Sequence, residues 1–387
     1  MEVENVNAHL HTNYSFSAFD SIPQAAQMAA EQNVKVVGIN DFYSMEGYAE
    51  WDRETRARGL YPLFNIEFIS LNAEDQLRGV RVNDPNNPGR TYLSGKGLAY
   101  PVTLSGEPAA KLAKVREESN RQVAAMCRKV EGLFKECGCD FGYNYELIKS
   151  ALTCGSVRER HLAKAIRHAV DRIFPDRQEA AQFYSKLFGG KPLKSDIGDA
   201  AKVENEIRGN LLKAGGAAFV PETPEAFLPM EEVRRIILAA GGIPTYPFLA
   251  DDAKGCFTDF EEDLQDVAAM LKRRGFYSVE FITTRNCPQV LEKYAEYLWD
   301  QGLAVTFGSE HNTPAMEPVM LSCRGGVPLS DTLKRLNYYG ACIIAAHQKL
   351  YGERGYGFLD AEGRPRVAAR EEFIDLGNKL IKEAIGK

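Results

Sequence analysis

No apolar run in the 387 residues approaches the roughly 20 needed to cross a bilayer as a helix, so a spanning helix is not expected. Positive charge is not in excess either. Lys and Arg number 47 against 53 Asp and Glu, for a formal net charge of −6. That balance argues against a nucleic-acid backbone as the main partner, while leaving room for a local basic pocket. Residues 1–7 are acidic and lack the apolar core of an export signal. The eight cysteines are scattered, and the close pair Cys137-Gly138-Cys139 has no second pair to complete a zinc knuckle. Without an export signal the thiols are expected to be reduced and the protein cytoplasmic. There is no internal repeat and no low-complexity stretch. What is present, 44% hydrophobic and 26% charged residues, is the composition of a globular chain with a full core. Its length suits one large domain or two ordinary ones.

The stretch Asn7-Ala8-His9-Leu10-His11-Thr12 carries the first chemical signal. Apolar Val3 and Val6 precede it, as at the exit of a short strand. Side chains on a strand alternate faces, so His9 and His11 point the same way and can share a metal ion. The pattern is short, and an isolated His-x-His is equally a pair of ordinary histidines.

The chain around it alternates strand and helix. A strand over 3–11 is followed by a helix over 21–32, opened by Ser21 as N-cap with Pro23 in the first turn. A nearly all-apolar run over 34–39 reads as a buried parallel strand ending at Asn40-Asp41. A polar helix over 45–58 leads to a strand over 63–69 with Glu67 near its end. Such alternation predicts right-handed βαβ units in a parallel sheet or barrel. Residues 71–101, rich in Asn, Pro and Gly, read as a long loop in which Arg90 and Lys96 could meet an anion. Helical periodicity dominates residues 106–225. Alternation then resumes, with a helix over 231–240, a strand over 243–248 and a capping box at Thr258-Asp259-Phe260-Glu261 predicted to open the next helix. A strand over 277–283, a helix over 288–301 and a strand over 303–307 lead into Gly308-Ser309-Glu310-His311-Asn312. Helices are expected over 331–351 and 368–385.

His9, His11, Asp41, Glu67, Tyr246, Glu280, Glu310 and His311 all fall near the C-terminal ends of these strands. In a β/α barrel that is the face where active sites are assembled. Carboxylates and imidazoles recurring there are hard to explain by packing, because buried charge is costly unless paired or metal-bound. A mixed His/carboxylate set suits Zn, Mn or Fe.

Taken together these stretches resemble the PHP (polymerase and histidinol phosphatase) superfamily of metal-dependent phosphoesterases, in the branch that carries a helical insertion and acts on nucleotides and short oligonucleotides. His9-Leu10-His11-Thr12 is similar to its first motif, and Asn65-Ile66-Glu67 to its glutamate motif. Gly38-Ile39-Asn40-Asp41 stands where the family has Thr-Asp-His. Arg158-Glu159-Arg160-His161-Leu162-Ala163 resembles the insertion's Arg-Pro-His-Ile-Ala. The run from Ala239 to Pro247 is similar to the one that ends in Ala-His-Pro, and Gly308-Ser309-Glu310 to the closing Gly-Ser-Asp. The resemblance covers residues 3 to 325, with the motifs in family order.

The resemblance implies a distorted TIM-like (β/α)7 barrel. Residues 1–105 and 226–325 would form the barrel, 106–225 a helical insertion over its mouth and 326–387 a helical C-terminal extension. It also exposes departures. The family holds three cations; here the aspartate expected near Ser15-Phe16-Ser17 is missing, and Phe42, Tyr246 and Asn312 stand where histidines are usual. No histidine lies between Glu67 and Ser150. The set left by the resemblance is His9, His11, Glu67 and Glu310, enough for one divalent transition metal (Zn, Mn or Fe). Asp41 or His311 would shuttle a proton, and Arg158, Arg160 and His161 would meet a phosphate, with Tyr246 a donor to substrate or a filler. His168 reads as an incidental neighbour, and His347 is assigned nothing. The implied activity is hydrolysis of a small phosphate ester or nucleotide through a metal-activated water. Two alternatives stay open: a PHP-like protein that binds a metal or ligand with little turnover, and a hydrolase of a non-phosphate substrate. The expected partner is a small phosphorylated substrate, with neither a membrane nor a nucleic-acid polymer.

Overall fold

The first βα unit forms as its residues dictate. β1 (Val6–Leu10) runs into a polar turn, and Ser21 then accepts the Gln24 N–H and opens α1 (Ile22–Glu31). β2 (Val36–Phe42), α2 (Tyr48–Arg56) and β3 (Tyr61–Leu71) follow. The computed structural model from which these elements are taken describes residues 1–252, 254–360 and 362–387.

Residues 71–101 differ from the expected loop. They hold α3 (Ala73–Leu77) and β4 (Arg90–Lys96), and β4 pairs antiparallel with both β3 and the next strand. A seven-residue strand containing glycine gives little apolar periodicity, and tertiary pairing overrides the local turn signal. Gly95 is needed there because a Cβ would sit 2.9 Å from Ile237 Cγ2.

Next come α4 (Gly106–Glu136), α5 (Tyr145–Leu152), α6 (Glu159–Ile173), α7 (Arg177–Leu187) and α8 (Ala200–Ile207). They enclose their own apolar cluster, with Phe134, Phe141, Ile166 and Tyr184 at its centre. Alternation resumes with α9 (Met230–Ala239), β5 (Ile243–Phe248), α10 (Leu264–Arg273), β6 (Ser278–Ile282), α11 (Pro288–Asp300) and β7 (Ala304–Gly308). The capping box at 258–261 does not open α10. Asp263 is its N-cap, and Glu261 is buried instead. After a small hairpin, β8 (Ser322–Cys323) with β9 (Val327–Pro328), the chain ends in α12 (Asp331–Arg354) and α13 (Arg370–Ala384).

The seven strands lie in the sheet in sequence order, β1 to β7. The sheet curls into a barrel whose last seam, between β7 and β1, is nearly closed. At its top the Glu310 carbonyl accepts the His11 N–H at 2.8 Å, and the Glu310 N–H donates to His9 O at 3.0 Å. Gly308 allows this approach, since a Cβ on it would lie 2.2 Å from the His9 Cβ. Lower down, α12 supplies the missing partners. Asn337 accepts from Phe307 N at 2.8 Å and donates to Val6 O at 3.1 Å. Gln348 does the same for Phe64 N and Pro62 O on β3. These amides satisfy edge groups that would otherwise be buried and unpaired. No described helix is long and apolar enough to cross a membrane.

Candidate metal centre

His9 and His11 leave β1 on the same face, as the two-residue period requires. Glu67 on β3 faces them, and all three are buried. His9 Nε2 lies 3.2 Å from His11 Nε2, and Glu67 Oε2 lies 3.0 Å from His11 Nε2 and 3.6 Å from His9 Nε2. Four ligands at about 2.0–2.1 Å around a tetrahedral ion are separated by about 3.3 Å. The three donor atoms already stand at that spacing. Glu67 Oε2 also has no hydrogen-bond donor within the protein. A buried carboxylate oxygen left without a donor is expensive unless a cation meets it. The donor set therefore fits a divalent transition metal bound by three protein ligands with a further position open.

Charge in the cluster is balanced from behind. Burial alone would raise the Glu67 carboxyl, but His11 and His9 hold it down to about 2. For His9, burial works against the charged ring. Glu280 outweighs it, against an opposing push from Lys96, and brings its pKa up to about 9. A proton on His9 thus does electrostatically what a bound cation would do. Glu280 Oε2 reaches His9 Nδ1 at 2.9 Å and Lys96 Nζ at 2.6 Å. Lys96, expected in an exposed loop, is buried in β4 and meets no external anion. Glu280 was legible as a strand-end carboxylate, but its partner was not. The signal available was the alternation within 91–96, which puts Ser94 and Lys96 on one face.

Glu310 stands apart from this group. Its carboxylate pairs with Arg285 Nη2 at 2.6 Å, so the fourth expected ligand lies outside the three-atom cluster. Glu310 and His311 are both left-handed, with φ of 65° and 56°. Such strain in non-glycine residues is held by surrounding structure and concentrates at functional sites. Both expected proton carriers are engaged by their neighbours. Asp41 accepts from Thr12 N at 2.7 Å, from the Thr12 hydroxyl and from Ser15 Oγ at 2.6 Å. His311 Nδ1 meets Ser309 Oγ and its Nε2 donates to Glu317 O, both at 2.8 Å, with the ring stacked on Phe19. Both residues shape the turns that carry the ligands.

Above Glu67 opens a cavity of about 690 Å³, walled by barrel and insertion together. Arg158 and Arg160 line it from the start of α6. Arg158 lies over Phe42, 4.4 Å from the ring centre, and donates to Ser119 Oγ; Arg160 donates to Asn205. Among the described residues neither has a carboxylate within 4.0 Å. Burial, with Arg208 nearby, brings Arg160 down to about 10. The other cavity cations are matched: Arg208 and Lys213 by Glu159, Arg285 by Glu310, Arg90 by Glu222. Arg208, Lys213 and Arg285 come from distant segments with no shared period, so no sequence pattern announces that they meet here.

Two expected substrate contacts face elsewhere. His161 does not line this cavity. Its Nδ1 accepts the Arg158 N–H at 2.9 Å and caps α6 from inside, with Phe16 against the ring. Burial first, and then Arg158, keep it neutral down to about 3. Tyr246 is buried, and its hydroxyl donates to Glu261 at 2.8 Å. Glu261 also accepts from Leu249 N and Ala250 N, so the Tyr246 hydroxyl belongs to a loop anchor.

No protein-family model matches the chain, and no curated protein matches its sequence. Solved structures do share its fold. One is described as a metal-dependent phosphoesterase from Bifidobacterium adolescentis. It superposes with a TM-score of 0.55 at 17% identity, over 87% of this chain and 96% of that one. Another, an amidohydrolase from Chromobacterium violaceum with bound sulfate and no metal, gives 0.51 at 15% identity, over 84% and 94%. At such identities the likeness is one of fold.

Proposed function

We propose that this chain is a metal-dependent hydrolase of the PHP type that cleaves a small phosphate ester, with one divalent cation held by His9, His11 and Glu67. The observation that carries the reading is the pairing of two features. Three donor atoms converge at 3.0–3.6 Å, with Glu67 among the residues that line the cavity, and two guanidinium groups without carboxylate partners look into the same cavity. A phosphate ester has the charge and planar oxygen pairs that guanidinium groups accept. A divalent cation on the three donors supplies Lewis acidity and a water of lowered pKa.

The chain's own groups do the rest. Arg158 and Arg160 bind and orient the anion. Phe42 and Phe16 wall the approach and keep water from it. Glu310, fixed by its main-chain bonds to His9 and His11 and turned by Arg285, is the carboxylate we assign to receive the proton of the attacking water. The names of both structural neighbours, a metal-dependent phosphoesterase and an amidohydrolase, agree with hydrolysis as the reaction class. The unpaired arginines favour phosphate over amide.

The test is metal-stripped protein reloaded with Mn or Zn and assayed on a panel of phosphate monoesters, nucleotides and N-acyl amides. Metal-dependent phosphate release, with KM raised about 10-fold or more by Arg158→Met or Arg160→Met, is expected, as one charged hydrogen bond is worth about 1.5–3 kcal/mol. Amide cleavage without phosphate release would overturn the substrate class. Metal-loaded protein with no turnover on any substrate would overturn the reading as an enzyme.

A further inference from the structure

Lys96 and Glu280 form an ion pair with no exposure at all, and neither residue has a part in the reading above. Burying such a pair is a poor route to stability, because apolar residues of the same volume serve as well or better. Its position suggests another use. Glu280 divides its contacts three ways. Oε1 accepts from the Ser94 hydroxyl, and Oε2 is shared between Lys96 Nζ at 2.6 Å and His9 Nδ1 at 2.9 Å. Lys96 is itself fixed, donating to Ala8 O at 3.1 Å and reaching Asn40 Oδ1 at 3.4 Å. Asn40 lies against His9, its amide nitrogen 3.0–3.1 Å from both ring nitrogens.

We propose that Lys96 and Glu280 are positioning residues for His9: Glu280 accepts the Nδ1–H and so presents Nε2 to a divalent cation, while Lys96 holds that carboxylate against the ring. The inference rests on the reading of His9, His11 and Glu67 as cation ligands. A carboxylate makes the arrangement unambiguous. It can only accept, so Nδ1 must carry a hydrogen, and in the neutral ring that a cation requires Nε2 is then the nitrogen with the free lone pair. Lys96 adds a second restraint. With an ammonium on its far side, the Glu280 carboxylate cannot swing towards the cation as a competing ligand without leaving its own counter-charge buried and alone.

This geometry makes substitution at position 280 informative. Oε2 alone meets both Lys96 and His9, and Oε1 meets the Ser94 hydroxyl. In Glu280→Gln the amide oxygen can take the Oε2 place while the NH2 donates to Ser94 Oγ, so the acceptor for Nδ1 is kept and only the charge is lost. Glu280→Ala removes the acceptor altogether.

The experiment is titration of zinc into metal-stripped full-length protein against a competing fluorescent chelator, with thermal melts of every variant. ¹⁵N-labelled, zinc-loaded protein reports the His9 Nδ1 proton. Glu280→Ala should weaken zinc binding by about 10- to 100-fold, the usual effect of losing a ligand's outer hydrogen-bond partner, and should abolish the slowly exchanging Nδ1 signal. Glu280→Gln, which keeps an acceptor between Lys96 and His9, should retain that signal and bind more tightly than Glu280→Ala. Glu280→Asp, which keeps the charge next to Lys96 but draws it back from the ring, should also weaken binding and guards against loss of fold in Glu280→Ala. Affinity within twofold of wild type in both Glu280→Ala and Glu280→Asp, or loss of the Nδ1 signal in Glu280→Gln, overturns the inference while leaving the three ligands standing. Absence of zinc binding by the wild type is a different failure, that of the metal reading itself.

Discussion

Acid should loosen this protein through the histidine that caps the helix carrying Arg158 and Arg160. His161 is buried, accepts the Arg158 N–H through Nδ1 and stays neutral down to about 3. His347 is equally buried, between Gly241 O and Leu359 N, and burial keeps it neutral down to about 4. In the unfolded chain both titrate near 6.5, so between that value and about 4 the unfolded state binds more protons. Stability then falls as pH falls, by about 1.4 kcal/mol per unit for each group. From pH 6.5 to 5 that is 1.5 units, or about 2 kcal/mol for each and about 4 for the two, a large share of the 5–15 kcal/mol of an ordinary domain. Urea unfolding at pH 7, 6 and 5 reads the slope. Relative to wild type, His347→Gln and His161→Gln should each lessen the loss of stability from pH 6.5 to 5 by about 2 kcal/mol. A slope unchanged in both variants would refute the argument that these rings are held neutral by burial.

Three further outcomes are expected. Wild-type protein purified without chelator should carry about one transition-metal ion per chain, and His9→Ala or Glu67→Ala should abolish binding by elemental analysis with the fold kept by circular dichroism; His168→Ala is the control, since His347 proves to be buried structure. Asn337→Ala should cost about 2–6 kcal/mol in urea unfolding, because Phe307 N and Val6 O lose their shared partner and about 1–3 kcal/mol attaches to each orphaned group. Tyr246→Phe should leave metal content and any turnover unchanged and lower stability by about 0.5–1.5 kcal/mol, the worth of a hydrogen bond to the Glu261 carboxyl, which burial raises to about 8; a rise in KM instead would return Tyr246 to the substrate site.

Features set by neighbouring residues were legible from the chain alone. The period of two put His9 and His11 on one face, apolar runs marked β2 and β3, and Ser21 with Pro23 marked the start of α1. Alternation of strand and helix, with polar residues at strand exits, implied the barrel and the end that bears chemistry. These properties depend on spacing within ten or so residues, which a sequence states outright. Tertiary structure decided what depends on partners far along the chain. It placed β4 antiparallel between β3 and β5, where a short glycine-bearing strand is stabilised by its neighbours and not by its own pattern. It turned His161 and Tyr246 away from the cavity and gave Glu310 to Arg285, each pairing set by which donor or acceptor folding brought within reach. It also put Lys96, Glu280 and His9 in line, although β4, β6 and β1 contribute one residue each. A buried charge is tolerable only where its counter-charge arrives, and that condition is met in space by residues up to 271 positions apart in sequence.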